Sequence, residues 1–186
     1  MPIRRTLVLA TTVGVIASIS VIAPELARSV QLRDGTVSFV QQPRLVAAST
    51  TIQDINAWGA TYYFTIDLPE NAGEPLQRVT INQHEGVDNI RFDLEDTRAF
   101  AGTRRRRGEN ITLGKVTRDR ETRTVDVVFN PPIKPGKTIT IGLRPVHNPF
   151  SSGVYLFGVK AFPEGAKTAG QFMGYGRLQF YGDLFD

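Results

Sequence analysis

Beyond residue 30 the apolar side chains return at every second position, and that spacing restricts the chain to extended strands. Tyr62, Phe64, Ile66 and Leu68 alternate with Tyr63, Thr65 and Asp67. Ile90, Phe92 and Leu94 alternate with Arg91 and Asp93, Val125, Val127 and Phe129 with Thr124 and Asp126, and Ile139, Ile141 and Leu143 with Thr138, Thr140 and Gly142. Successive side chains of a strand point to opposite faces, so each run supplies one buried face and one wet face. Shorter strands are expected over 36–40, 78–82, 111–116 and 177–181. Segment 154–162 is apolar almost throughout, broken only by Gly158 and Lys160, which predicts a strand central in its sheet or buried on both faces.

Proline and glycine punctuate these runs. Pro131-Pro132 and Pro135-Gly136 separate two alternating strands, and Pro145 and Pro149 bracket Val146-His147-Asn148. Proline cannot donate to a sheet ladder, so turns or edge positions are expected there. A short helical turn is expected over 51–57, with Thr51 capping and Asp54 three residues on. No long amphipathic helix, internal repeat or second domain is visible. About nine short strands with regular turn signals predict an all-β, single-domain β-sandwich over 30–186, with an immunoglobulin-like arrangement as one form of it.

The segment before the sandwich reads as an address. Arg4 and Arg5 precede an apolar run over 7–23, and Ala27-Arg28-Ser29 follows with short side chains at its two restricted positions. That is the order of a signal peptide, residues 1–29, with cleavage after Ser29. An uncleaved anchor is the competing reading, but Thr11, Thr12, Ser18 and Ser20 dilute the run, which falls short of a span of about 20 residues. The expected location is therefore extracytoplasmic: periplasm, outer envelope or secreted.

Composition narrows the chemistry. The chain has no cysteine, which excludes disulfides, thiol nucleophiles and thiolate metal sites. It carries 22 basic and 18 acidic residues, net +4, of which Arg4, Arg5, Arg28 and Glu25 belong to the leader, leaving 19 against 17, net +2. The remainder is nearly balanced, which argues against a nucleic-acid partner. Gly136-Lys137-Thr138 has the end of a phosphate-binding loop, but Pro131 stands where that loop needs glycine and a strand follows where it needs a helix. Neither His84 nor His147 has metal-ligand spacing, and Ser151 and Ser152 near His147 lack a nucleophile elbow. Asp93, Glu95 and Asp96 lack calcium-loop spacing, and Asp67, Glu70 and Glu74 follow a strand where solvation is the default. Asn110-Ile111-Thr112 matches a glycosylation sequon by chance. No catalytic residue, cofactor or metal is expected.

Two features point to binding. Arg104, Arg105, Arg106 and Arg107 stand between Gly102 and Gly108, on an expected loop between strands. Guanidinium groups form paired bonds with phosphate, sulfate or carboxylate, so an acidic glycan, an anionic lipid or an acidic envelope protein would suit them. A solvated hairpin tip that only aids solubility is the competing reading. Trp58, beside Gly59 and outside the clearest strands, is the aromatic expected to be exposed, whereas Tyr62, Tyr63, Phe150, Tyr155 and Phe157 are read mainly as packing residues.

Four stretches together carry a family likeness: Val30-Gln31-Leu32-Arg33-Asp34-Gly35-Thr36, Ala60-Thr61-Tyr62-Tyr63-Phe64, the Pro-Pro-x-x-Pro-Gly-x-Thr pattern from Pro131, and Gly153-Val154-Tyr155-Leu156-Phe157-Gly158-Val159 running on to Ala161-Phe162-Pro163. The sequence resembles the exported, mainly cyanobacterial family called domain of unknown function 2808. The resemblance is clearest over 30–165 and weaker over 166–186. It implies a signal peptide and a single extracytoplasmic β domain, and supplies no site residues.

The expected function is an exported non-enzymatic envelope or cell-surface domain that binds or scaffolds envelope components. The alternatives are a carbohydrate-binding module using Trp58 or the arginine segment, and a hydrolase acting on envelope glycans through unrecognised carboxylates.

Overall fold

The alternating runs become strands, and their shared parity decides what is buried. The computed structural model describes residues 30–31 and 35–182; the expected signal peptide and its cleavage point lie outside the described residues. A small antiparallel pair joins β1 (Val30–Gln31) to β2 (Val37–Ser38). One five-stranded antiparallel sheet has the order β3 (Arg44–Thr50), β4 (Tyr62–Leu68), β10 (Lys137–Pro145), β6 (Phe92–Thr103), β7 (Arg106–Ile111). A second has the order β12 (Gln171–Phe180), β11 (Gly153–Pro163), β5 (Leu76–Glu85), β9 (Thr124–Ile133), β8 (Leu113–Asp119). The chain passes repeatedly between the sheets, and no helix occurs among the described residues.

The all-β sandwich expected from the sequence is what forms. Tyr62, Phe64, Ile66 and Leu68 of β4, Ile139, Ile141 and Leu143 of β10, and Val125, Val127 and Phe129 of β9 all lie in the core. They meet Tyr155, Phe157, Val159 and Ala161 of β11 and Phe180 of β12. Aromatic contacts link the two layers: Phe64 and Phe157 have centroids 5.6 Å apart, and Tyr62 and Phe180 5.5 Å. Each such side chain contributes about 1.5–3 kcal/mol through burial, enough for a cysteine-free core.

Polar groups are also built into this interior, Asn148 among them. Asn148 is fully buried; its Oδ1 accepts the Tyr62 hydroxyl at 2.9 Å and its Nδ2 donates to the carbonyls of Ile52 and Asp54. Burial pushes the Tyr62 hydroxyl far above its ordinary titration range, so it remains a neutral donor. Asn148 thereby ties loop 51–61 to loop 146–152.

Several local expectations need correction. Segment 51–57 forms no helical turn: its amides serve long-range bonds, with Ile55 donating to the Tyr181 carbonyl and Asn56 to that of Pro149. Pro131 and Pro132 do not separate strands but lie inside β9. They are tolerated because the β5–β9 register breaks there, Leu76 pairing with Ile133 and Arg78 with Val128. Segment 111–116 is two strands, divided at Thr112. Segment 154–162 sits inside its sheet as expected but is not buried on both faces, since Val154 and Lys160 on its outer side are exposed.

Candidate functional site

The four arginines mark the site, and the hairpin that bears them is bent over its own sheet. Only Arg104 and Arg105 form the turn; Arg106 and Arg107 already belong to β7, so the expected four-residue loop is a two-residue one. All four are exposed. Gly102 causes the bend. It sits at φ +85°, and a Cβ there would lie 2.3 Å from the Arg106 carbonyl oxygen. The register between β6 and β7 shifts just before it, at a glycine bulge.

Contacts show where the hairpin goes. The Thr140 hydroxyl, on the outer side of β10, donates to the Gly102 carbonyl at 2.7 Å and meets the Thr65 hydroxyl of β4 at 2.9 Å. Arg104 reaches across to β3, donating to the Thr50 carbonyl at 3.0 Å, with its guanidinium 5.3 Å above the Tyr63 ring. Arg107 lies 4.7 Å above the Phe100 ring. This cover explains why Thr65, Thr140 and Phe100 are buried despite outward-pointing parity. Cation–π contacts at exposed sites are worth about 0.5–1 kcal/mol each, so the arginines rest on the sheet without being locked to it.

A second irregularity completes the site. Between the pairs Gly142–Arg98 and Arg144–Asp93, the single residue Leu143 faces Leu94, Glu95, Asp96 and Thr97. That bulge places Asp96 where it accepts from Arg98 at 3.2 Å and from Arg144 at 3.1 Å. Asp96, read from sequence as part of an acidic cluster, thus serves to orient arginines. Arg98, Arg107 and Arg144 then line one pocket of about 180 Å³ with Thr61, Tyr63 and Phe100. Gly142 forms its floor, because a Cβ there would press on the Tyr63 ring at 3.1 Å. Three guanidinium groups share the lining with one carboxylate, and one terminal nitrogen each of Arg107 and Arg144 has no protein acceptor among the described residues. An oxyanion fits that excess.

The sequence signal found the turn but missed its partners. Arg98 and Arg144 are wet-face positions of alternating strands, indistinguishable in sequence from solvating charges. The Gly142 gap in the outer row Thr138, Thr140, Gly142, Arg144 is the one visible hint.

Trp58 is 69% exposed, as expected, but belongs to a different group. It lies 5.8 Å from His147, whose ring is 4.5 Å from Phe150 and whose Nδ1 is 2.7 Å from the Asn148 carbonyl oxygen. This cluster caps the Asn148 loops at one end of the sandwich. His84 lies on the outer face of the second sheet, 4.9 Å from Tyr175. Asp67 is taken up by Arg44 at 3.3 Å and the Thr138 hydroxyl at 3.1 Å.

A profile of the family described as protein of unknown function (DUF2808) matches residues 36–180. The chain belongs to that family. The matched region runs through β12, so the stretch after residue 165 that looked weaker in sequence is part of it. No curated protein matches the chain. Among solved structures, a collagen-binding domain from a Staphylococcus aureus adhesin is similar at 12% identity and TM-score 0.38, over 66% of this chain and 87% of that one. The S. aureus collagen adhesin aligns at 12% identity and TM-score 0.41, over 72% of this chain and 48% of its own. A cohesin module from a Clostridium perfringens family 33 glycoside hydrolase aligns at 9% identity and TM-score 0.36, over 74% and 98%.

Proposed function

We propose that the protein is a non-enzymatic extracytoplasmic binding domain of the cell envelope, and that its basic sheet face holds the anionic groups of an acidic glycan. The observation that carries this reading is the pocket lined by Arg98, Arg107 and Arg144, with the single carboxylate Asp96 held by Arg98 and Arg144, beside the Tyr63 and Phe100 rings. Such a site recognises sulfate, phosphate or carboxylate by charge and by paired bonds. The leader-like segment 1–29 supports an extracytoplasmic setting. Asp96 is engaged by two arginines and so is ill placed to act as a general acid or base, which favours binding over hydrolysis. An acidic glycan is favoured over a lipid surface because Val46, 53% exposed, is the one exposed large apolar side chain lining the pockets beside this hairpin among the described residues.

The test is retention on immobilised dextran sulfate and polygalacturonate for the wild type and for Arg107→Gln/Arg144→Gln. Charge-assisted hydrogen bonds contribute about 1.5–3 kcal/mol each, so losing two weakens binding by at least about tenfold. Retention should fall as salt shortens the screening length to about 8 Å at physiological strength. Binding to phosphatidylglycerol vesicles without retention on either polymer would move the partner to the membrane surface. Release of reducing ends from either polymer would replace binding by hydrolysis.

A further inference from the structure

We infer that the outer face of the second sheet is a separate binding site for a neutral polysaccharide chain. It lies on the opposite side of the sandwich and does not depend on the basic face.

The site is made by a bulge in β12. Phe172 and Tyr175 are three residues apart, and in a regular strand they would point to opposite faces. Here Val159 pairs with Gly174 and Lys160 with Phe172, so Met173 is an extra residue, and Gly174 has φ +124°. Met173 packs against the core, and both rings emerge on the outer face, 42% and 50% exposed. Their centroids are 4.9 Å apart at 66°, and the His84 ring continues the Tyr175 surface at 4.9 Å and 34°. Beneath them β11 carries Gly158. A Cβ there would meet the two rings at 3.4 and 3.5 Å, so the missing side chain leaves the rings lying over backbone.

The aromatic wall borders an open groove of about 580 Å³. The ladder sets polar side chains across its floor in register: Lys160 beside Thr80 beside Asp126, and Gly158 beside Asn82 beside Thr124. Asn82 Nδ2 donates to the Thr122 carbonyl and, at 3.0 Å, to the Thr124 hydroxyl, which fixes the amide and leaves Oδ1 as an acceptor. The two carboxylates along the groove, Asp126 and Asp119, are already engaged, and Lys160 is the lining cation without an ion pair among the described residues. Arg78 holds Asp126 at 2.9 Å, and Asp119 accepts the amides of Glu121 and Thr122 at 2.8 and 3.2 Å.

Those properties select the ligand class. A sugar ring has an apolar C–H face and a rim of hydroxyls. The face gains by covering Tyr175 and Phe172, and the hydroxyls find both donors and acceptors in Lys160, Thr80 and Asn82. Asp119 and Asp126 against Lys160 leave the lining no net positive charge to draw a polyanion, and the engaged carboxylates offer little to a polycation, so the occupant is uncharged. Because the groove is open, it suits a segment of a chain better than an enclosed small molecule.

Affinity electrophoresis of the protein through gels containing dextran, galactomannan, mixed-linkage β-glucan or hydroxyethyl cellulose tests this. The wild type should be retarded in at least one gel, and retardation should survive about 1 M salt, where the screening length is about 3 Å. Phe172→Ala/Tyr175→Ala should weaken it at least tenfold. Tyr175→Phe, which keeps the ring, and Tyr181→Ala, an exposed tyrosine outside the groove, should leave it within twofold. Circular dichroism of the double variant should match the wild type, because both rings are half exposed. Lack of retardation in all four gels overturns the proposal. So does equal retardation of the double variant, or retardation abolished by salt. None of these results bears on binding to dextran sulfate, which requires Arg107 and Arg144.

Discussion

On the β10 side of the sandwich a turn of arginines is folded back over its own sheet; on the β11 side the outer face stays open, floored by Gly158 and walled by Phe172 and Tyr175. Both faces sit on regular antiparallel sheets with apolar inner rows of the same kind. Both gain their special character at a register shift beside a positive-φ glycine, Gly102 in one and Gly174 in the other. The difference lies in what the bulge moves. At Gly102 it bends a whole hairpin and brings long charged side chains over Tyr63 and Phe100. At Gly174 it shifts parity by one residue and brings two rings to the same side. A sandwich of ordinary strands thus acquires one basic face and one aromatic face without altering its core.

The contrast predicts unequal costs for the two glycines. Gly102→Ala meets the Arg106 carbonyl at 2.3 Å in addition to an unfavourable φ, whereas a Cβ on Gly174 meets nothing within 4 Å. Urea unfolding should show Gly102→Ala destabilised by about 2–3 kcal/mol and Gly174→Ala by about 1 kcal/mol, since strained backbone costs of order 1–3 kcal/mol per residue. Gly102→Ala should also abolish retention on dextran sulfate. Equal losses in the two variants would mean that the hairpin is not held down as described.

Thr140→Val probes the same hairpin from below. The hydroxyl is buried and donates to the Gly102 carbonyl, so its loss should cost about 1–2 kcal/mol. Amide exchange should quicken at 102–106 and stay unchanged at 171–176 on the other face. Quickening on both faces would break the claim that they are independent.

Arg104→Gln should change stability by no more than about 0.5 kcal/mol, as expected for an exposed side chain. The guanidinium crosses the sheet surface but replaces no buried group.

A smaller effect at neutral pH is expected from Asp88, which belongs to neither face and calibrates both. The Ser151 amide, its strongest contact, together with the Tyr155 hydroxyl, holds the Asp88 carboxylate below the usual range against the opposing effect of burial. A depressed native value stabilises the fold above the unfolded value of about 3.9, and that contribution is lost as pH falls through the native value. Asp88→Asn should therefore lower the melting temperature slightly at neutral pH, with the gap to wild type closing under acid. A gap that widens under acid would reverse the assignment.

The inner half of this architecture is legible in the sequence because parity alone decides it. Phe64, Ile141, Val127 and Phe129 declare their faces by position, and the core follows. The sites are not legible in that way, because a bulge erases parity. Nothing in the run from Leu94 to Thr97 says that four residues will face Leu143 and turn Asp96 toward Arg144, 48 residues away. Phe172 and Tyr175, at odd spacing, read as opposite-face residues until Met173 is seen to be extra. Arg104, Arg105, Arg106 and Arg107 are visible as charge, but the bend at Gly102 and its bond from Thr140, which lay them on the sheet, are not. Trp58 is exposed, as its place outside the strands implies, but its cluster with His147 is not legible, because loop positions carry no periodic information about their neighbours.

The proposed anion site is the basic face formed by the folded-back hairpin. Amide chemical-shift mapping with a dextran sulfate oligosaccharide tests it most directly. The predicted shifts fall within 61–63, 96–107 and 142–144, vanish in Arg107→Gln/Arg144→Gln, and spare His84, Phe172 and Tyr175. Shifts centred on the β11–β12 face, or spread evenly over every exposed lysine and arginine, would contradict it.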